Sequence, residues 1–130
     1  IKTLKKEFSD CIVFTGYVTD VRSYYSNSDL LLLPSKREGF PVCVMEANSS
    51  SVPAIVYDVP GCSDAVSNDT NGYIFSYGDV TAIVTKIESL YRNINSLRSL
   101  KSSSRAYAVK NFSVSVKTTL FLNEIERHTK

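Results

Sequence analysis

Two carboxylates, Glu38 and Glu46, stand eight positions apart in the segment REGFPVCVMEA, with mostly apolar residues between them. An ionised carboxylate can only accept hydrogen bonds, so it suits ligands that carry hydroxyl groups. Taken singly, Glu38 is more simply explained as an exposed loop residue and Glu46 as a solvated helix position. Whether the two glutamates bind a ligand or are ordinary surface residues therefore has to be judged from the segment between them and from the strands and helices around it.

The residues between the glutamates predict the start of a helix and an anion-binding site. Residues 41–50 have the pattern of a helix, and Pro41 suits its first turn, where a missing N–H costs nothing. A helix N-terminus offers free N–H groups and the positive end of the dipole, so a phosphate would bind there. Gly39 would let the backbone approach that ligand closely. A ligand with a central diphosphate and a hydroxylated ring at each end, such as a nucleotide sugar, would satisfy all these groups.

Short apolar runs alternate with helical segments over the first 75 residues. Continuous apolar strands separated by helices predict an α/β fold, a parallel sheet with helices on both faces. Ligands bind such sheets beyond the carboxyl ends of the strands, where the glutamate segment falls. The predicted strands are residues 11–14, 30–33, 54–57 and 72–75, and the predicted helices between them are residues 20–28 (N-cap Asp20), 41–50 and 63–67 (candidate cap Ser63).

The second half of the chain has the periodicity of helices. Apolar residues recur at three- and four-residue spacing from Val80 to Leu97, which predicts one helix or two. The polar residues 99–105 are only weakly helical. A last helix is expected from Phe112, with Ser113 as its N-cap. The candidates for its inner face are Phe112, Val116, Leu120, Phe121 and Ile125.

Composition excludes several classes of protein. The chain of 130 residues has the length of one domain, and its net charge of +2 with no basic run beyond Lys5-Lys6 argues against nucleic-acid binding. Its three cysteines lack a CxxC spacing, which argues against a disulfide framework and a zinc site and favours reduced thiols in the cytoplasm. No signal peptide or spanning segment is visible. Because the chain opens with Ile1 inside a helix-like segment, we expect it to be a piece of a longer protein.

Four segments, in order, resemble the C-terminal domain of retaining GT-B glycosyltransferases, the large group-1 (family 4) class. They are FTGYVTD, SDLLLLPSKREGFPVCVMEA, SVPAIVYDVPGCSDAV and NGYIF, and the resemblance covers about residues 13–75. The class carries two glutamates with seven residues between them, as Glu38 and Glu46 stand here. The resemblance implies that residues 1–130 are a partial, Rossmann-like, donor-binding domain, truncated at its N-terminus, and that the N-terminal acceptor domain is absent.

The resemblance also implies roles for individual residues. Glu38 would be the catalytic residue that hydrogen-bonds hydroxyls of the donor sugar, and Glu46 would hold the ribose hydroxyls. Backbone N–H groups of residues 39–43 would cradle the sugar and the diphosphate. Residues 16–18 would lie beside the nucleobase, with Tyr17 as a candidate for stacking. The implied donor-binding set is Gly16, Tyr17, Val18, Ser35, Glu38, Gly39, Phe40, Pro41, Val42, Cys43 and Glu46.

The activity implied by the resemblance is transfer of a hexose from a nucleotide-diphosphate sugar, with retention of anomeric configuration, in polysaccharide or glycolipid biosynthesis. No metal and no cofactor besides the donor is expected, because in the family a basic pair and the helix dipole offset the diphosphate charge. That pair lies upstream of Ile1. The missing domain would bind most of the saccharide or lipid-linked acceptor, so the isolated chain is predicted to be inactive. The parent is expected in the cytoplasm, with peripheral association at the inner membrane face as an option.

The chain departs from the family pattern near the sugar. Ser51 stands where a glycine is usual, Pro60-Gly61 where two glycines are frequent, and Asp64 where a glutamate is usual. These changes bear on the identity of the donor. The alternative is a non-catalytic nucleotide-binding or regulatory domain of doubly wound fold; the two glutamates with Gly39 favour the enzyme. His128 is interpreted as a solvated residue at a helix end.

Overall fold

The computed structural model describes residues 10–116, 118, 119 and 127. Its sheet has three parallel strands in the order β1-β2-β3: β1 (Leu31–Leu33), β2 (Ala54–Tyr57) and β3 (Gly72–Phe75). Ala54 is the Cα partner of Leu31 on one side and of Gly72 on the other. These strands coincide with three of the predicted apolar runs, β1 beginning one residue later, so the parallel α/β fold is confirmed.

Helices precede and follow each strand. They are α1 (Arg22–Ser26), α2 (Val42–Ser49), α3 (Val80–Arg92), α4 (Ile94–Phe112) and a short 3-10 helix (Ser63–Ala65). Parallel strands need such crossovers, because the chain must return to the same end of the sheet before the next strand starts.

The central strand β2 shows why its four residues are all apolar. Side chains alternate along a strand, so Ala54 and Val56 share one face, and Ile55 and Tyr57 share the other. The first pair packs with Val44 of α2 and with the 3-10 helix, and the second packs with Ile83 of α3. All four residues of β2 are buried. The prediction of helices on both faces is thereby confirmed.

The strand predicted at residues 11–14 is wrong. These residues have no strand assignment and all four are exposed, Val13 by 85%. An apolar run becomes a strand only where neighbouring backbone groups can pair with it, and no strand lies beside this one in the described part of the chain.

Two of the predicted caps also differ from the structure. The N-cap of α1 is Val21, although the Asp20 carboxylate accepts a hydrogen bond from the backbone N–H of Arg22 at 3.1 Å. The 3-10 helix begins after Cys62 without a side-chain cap, so Ser63 is its first residue and not its cap.

The apolar periodicity after residue 79 belongs to two helices that meet at Asn93. Asp79 caps α3 by accepting from the N–H of Ala82 at 2.9 Å, and Asn93 caps α4 by accepting from Ser96 at 3.2 Å. The polar residues 99–105 lie in the middle of α4, where the buried Ser104 donates to the Leu100 carbonyl at 2.8 Å. Phe112 ends α4 and does not start the next helix, but residues 114–116, 118 and 119 are helical after the extended Ser113, as the predicted last helix requires. Leu120, Phe121, Ile125 and His128 lie outside the described residues.

Helix α4 is bonded to the rest of the domain. Arg105 donates to the carbonyl of Ser49, the last residue of α2, at 2.6 Å, and Lys101 pairs with the Asp29 carboxylate at 2.9 Å. None of the helices in the described ranges combines the length and the apolar character that a membrane span requires.

Candidate functional site

The predicted site lies in the loop that leaves β1 and enters α2, at the carboxyl ends of the strands. Glu38 is half-buried there, and its backbone N–H donates to the Pro60 carbonyl at 3.2 Å. Pro60 belongs to the loop that follows β2. The loops after two neighbouring strands therefore touch beneath the first glutamate. Ser35 lies half-buried at the start of the first of these loops.

Gly61 supports this contact because it has no side chain. Its φ is +83°, in the left-handed region that glycine tolerates best, and an ideal Cβ there would come within 2.2 Å of the Glu38 carbonyl oxygen. The sequence predicts a turn at Pro60-Gly61. It does not predict that the backbone of Glu38 packs against Gly61, because no local pattern shows which distant segment lies beside the turn.

The start of α2 lies one residue later than the sequence predicts. Pro41 is its buried N-cap, with extended backbone (φ −74°, ψ 101°), and Val42 is its first, exposed residue. Gly39 is exposed, and a Cβ placed on it would meet no atom within 4 Å. Phe40 packs edge-on against the Phe112 ring at the end of α4, with 6.0 Å between centroids. The segment before α2 is therefore packed against α4 through Phe40, while Gly39 and Val42 are exposed to solvent.

The two glutamates flank one thiol. Burial raises the pKa of the Cys43 thiol, and the charges of Glu38 and Glu46 act in the same direction. Burial and the Glu38 charge likewise raise the pKa of Cys62, which is fully buried. Cys43, which lies between the two glutamates in sequence, is half-buried and is influenced by both of their charges. A thiol with a raised pKa is mostly protonated at neutral pH and is a weak nucleophile.

Glu46 has a partner that the sequence does not indicate. The hydroxyl of Tyr25, in α1, donates to Oε2 of Glu46 at 3.3 Å. Burial, the charge of Glu46 and Cys43 raise the pKa of Tyr25 to about 12. The two residues are 21 positions apart on different helices, so no spacing rule connects them.

An open groove of about 380 Å³ borders Glu46. It lies between α1, α2 and the end of α4, and the two residues of the Tyr25–Glu46 hydrogen bond both line it. Its lining residues are Val21, Arg22, Tyr25, Val42, Met45, Glu46, Ser49, Ser50 and Phe112. Two members of the predicted donor-binding set, Val42 and Glu46, lie in this groove.

Residues 16–18 form a separate, more open segment. Gly16 has a φ of +66°, Tyr17 is 92% exposed and Val18 is half-buried. The ring of Tyr17 is thus open to solvent and is not packed in the core. Stacking of a base on this ring stays a prediction. Over the described residues, no cluster of three or more His, Cys, Asp or Glu side chains could hold a metal ion.

The chain is similar in sequence to two bacterial glycosyltransferases. It is 40% identical over 87 residues to the capsular polysaccharide biosynthesis glycosyltransferase CapM of Staphylococcus aureus, covering 67% of this chain and 23% of CapM. It is 38% identical over 64 residues to the N,N'-diacetylbacillosaminyl-diphospho-undecaprenol alpha-1,3-N-acetylgalactosaminyltransferase of Campylobacter jejuni, covering 49% of this chain and 17% of that enzyme. The chain thus spans less than a quarter of the length of either relative.

Two solved structures share the fold of this chain. The Anabaena protein HepE, crystallised in complex with UDP, superposes with a TM-score of 0.84 at 18% identity, over 97% of this chain and 36% of HepE. The C-terminal domain of the group 1 glycosyltransferase LpcC from Francisella tularensis superposes with a TM-score of 0.75 at 20% identity, over 87% of this chain and 62% of that domain structure. At these identities the comparison establishes the Rossmann-like fold of GT-B glycosyltransferases. Residues 2–107 match the family of group 1 glycosyl transferases, so the chain belongs to that family.

Proposed function

We propose that this chain is the donor-binding part of a glycosyltransferase that builds a polysaccharide or glycolipid. The observation that carries the proposal is that Glu38, half-buried in the loop after β1, and Glu46, within α2, lie on either side of the start of that helix. Family membership supports the reaction class, and CapM, by its name, acts in capsular polysaccharide biosynthesis. The fold shared with the C-terminal domain of LpcC supports the assignment of residues 1–130 to a C-terminal domain.

In the proposed complex, the diphosphate of the donor lies at the N-terminus of α2. Backbone N–H groups of residues 39–43 and the positive end of the helix dipole attract it. Gly39 leaves the space that a close backbone approach needs, because nothing lies within 4 Å of its Cβ position. Glu38 accepts from hydroxyls of the sugar on one side, and Glu46 accepts from the ribose on the other. Gly16, Tyr17 and Val18 contact the base.

The proposed reaction breaks the bond between the anomeric carbon and the diphosphate and forms a new glycosidic bond with the same configuration. Its transition state carries positive charge on the sugar and growing negative charge on the leaving diphosphate. Fixed dipoles and charges stabilise both without having to reorganise. Glu38 lies on the sugar side and α2 on the phosphate side. We propose that the reaction needs no metal and no cofactor apart from the donor.

The acceptor is proposed to bind mainly to a part of the protein outside this chain. A saccharide or lipid-linked acceptor fits the class, since the Campylobacter relative is named for a diphospho-undecaprenol substrate. A lipid-linked acceptor would place the parent enzyme in the cytoplasm at the inner face of the membrane. The chain by itself is then expected to bind donor without transferring sugar, and transfer by the isolated chain would contradict the domain assignment.

The test is an NMR titration of the chain with UDP, GDP and ADP, repeated with Glu46→Ala. Even millimolar binding, worth about 4 kcal/mol, moves resonances measurably. We expect shifts at residues 16–18 and 39–46 that weaken in the variant. The matched control is Glu88→Ala, which removes an exposed glutamate from α3, paired with Arg92 at 3.7 Å and remote from the glutamate loop.

The titration separates the two candidate functions. Shifts confined to those residues, reduced by Glu46→Ala and unchanged by Glu88→Ala, support the donor site and identify the base. If a nucleotide binds elsewhere, or equally well to both variants, the chain is better described as a nucleotide-binding domain without the proposed donor site. If none of the three nucleotides binds at millimolar concentration, this chain does not hold the donor alone.

A further inference from the structure

Tyr25 carries a side-chain hydrogen bond from helix α1 to helix α2. Of the five residues of α1, Tyr25 alone is half-buried and the other four are exposed. Its hydroxyl donates to Oε2 of Glu46 at 3.3 Å, so α1 meets α2 at the glutamate that the proposed function assigns to the ribose. The contact joins a short, exposed helix to the carboxylate of a functional site.

The direction of this hydrogen bond is fixed. A carboxylate can only accept, so the phenol must donate. The phenol is protonated at neutral pH, because the ordinary tyrosine pKa of 10.0 is already high, and burial, the charge of Glu46 and Cys43 raise the pKa of Tyr25 further, to about 12. Tyr25 therefore presents a permanent donor to the carboxylate.

A hydrogen-bond donor would reduce the conformational freedom of the Glu46 side chain. Glu46 is exposed on α2, and a free glutamate side chain loses up to about 2 kcal/mol of conformational entropy when it is fixed. A hydrogen bond that is already present in the free protein restricts the rotamers before a ligand arrives. Both residues line the same groove, so the restricted carboxylate stays beside the space that a ligand would enter.

We propose that Tyr25 is a positioning residue for Glu46: its hydroxyl holds Oε2, which leaves Oε1 to accept from a hydroxyl of a vicinal diol in the groove. The inference rests on the donor site proposed above. It names a residue that acts through the carboxylate and does not itself touch the ligand. Helix α1 carries the phenol that reaches this carboxylate.

A double-mutant cycle on UDP binding tests the proposal. Tyr25→Phe keeps the ring and removes only the hydroxyl, and we expect it to weaken UDP binding roughly threefold to tenfold, the effect of one modest hydrogen bond. In a Glu46→Ala background the same change should have no further effect, because a residue that acts through another loses its influence when the other is absent. Tyr24→Phe, the exposed neighbour on α1, is the matched control and should leave binding unchanged.

Two results of the cycle would overturn the proposal. Equal losses in both backgrounds would mean that the Tyr25 hydroxyl contacts the ligand directly. Wild-type affinity in Tyr25→Phe would mean that the hydroxyl positions nothing.

A second readout does not depend on nucleotide binding. In the free protein, Tyr25→Phe should shift the carboxyl carbon resonance of Glu46 and average its side-chain couplings, whereas Tyr24→Phe should do neither. If Glu46 responds but the wild-type chain binds no nucleotide, this chain does not hold the donor alone, while the positioning contact stands. If Glu46 does not respond, the positioning proposal fails whatever binds.

Discussion

The carbonyl oxygen of Glu38 occupies the space that a side chain on Gly61 would need. An ideal Cβ on Gly61 would lie 2.2 Å from that oxygen and 2.5 Å from the carbonyl oxygen of Gly39. A hydrogen bond of 3.2 Å from the Glu38 N–H to the Pro60 carbonyl holds the same two loops together. The position of the first glutamate therefore depends on a glycine that lies beyond the next strand.

Gly61→Ala should destabilise the domain and displace the Glu38 loop. The positive φ and the backbone clash together are expected to cost about 3 kcal/mol, because the clashing atoms are backbone and cannot turn aside. Gly78→Ala is the control, since Gly78 has a similar φ of +85° but open space around its Cβ, and should cost about 1 kcal/mol. Urea unfolding measures both. If Gly61→Ala and Gly78→Ala lowered the free energy of unfolding equally, the Glu38 loop would have moved at no cost and its contact with Gly61 would not contribute to stability.

Asn71→Ala should destabilise the domain by about 3 kcal/mol, because it strips partners from several buried groups. The Asn71 amide donates to Asn48 Oδ1 at 2.6 Å and to the Ala65 carbonyl at 3.0 Å, and its Oδ1 accepts from the Ser67 N–H at 2.6 Å. Asn27→Ala, at an exposed amide that bonds within α1, should cost less than about 1 kcal/mol. Chemical denaturation followed by circular dichroism compares the two. A small loss for Asn71→Ala would mean that water replaces the network.

The three thiols should react with iodoacetamide in the order Cys11, Cys43, Cys62. Cys11 is exposed, Cys43 is half-buried with a raised pKa, and Cys62 is fully buried with a raised pKa. Alkylation requires the thiolate, so burial and a raised pKa both slow it at pH 7.5. Mass spectrometry of digests taken over time measures the order. Cys43 labelling as fast as Cys11 would contradict the half-buried environment between the two glutamates, and 6 M urea should make all three rates equal.

Stability should fall at alkaline pH partly through Tyr25. Its pKa is raised from 10.0 to about 12 in the folded chain, first by burial and then by the charge of Glu46. The unfolded chain therefore loses this proton first, so the contribution of Tyr25 is complete below pH 10 and is lost as pH rises through about 12. Unfolding free energies at pH 8, 10 and 11 should drop less steeply in Tyr25→Phe. If the unfolding free energy fell equally steeply with pH in the variant and in the wild type, the raised pKa of Tyr25 would be contradicted.

Local patterns in the sequence predict most of the framework. The apolar run of residues 54–57 marks β2 because a strand buried on both faces needs apolar residues at every position. Pro41 marks the start of α2, because a proline is tolerated where a helix begins, and the three- and four-residue spacing after Asp79 marks α3. The run at residues 11–14 has the same composition as a strand, and it failed because pairing depends on what lies beside it.

The sequence by itself determined the fold class and the positions of Glu38 in the loop after a strand and of Glu46 inside the next helix, because apolar runs and helix-start residues act over a few neighbouring positions. Only the tertiary structure decided which distant residues support those carboxylates. Gly61 packs against the backbone of Glu38, Tyr25 hydrogen-bonds to Glu46, and Asn71 hydrogen-bonds to Asn48. Each contact forms where the crossovers of a parallel sheet bring separate loops and helices together. Such contacts follow from packing in three dimensions, for which the linear order of residues carries no local signal.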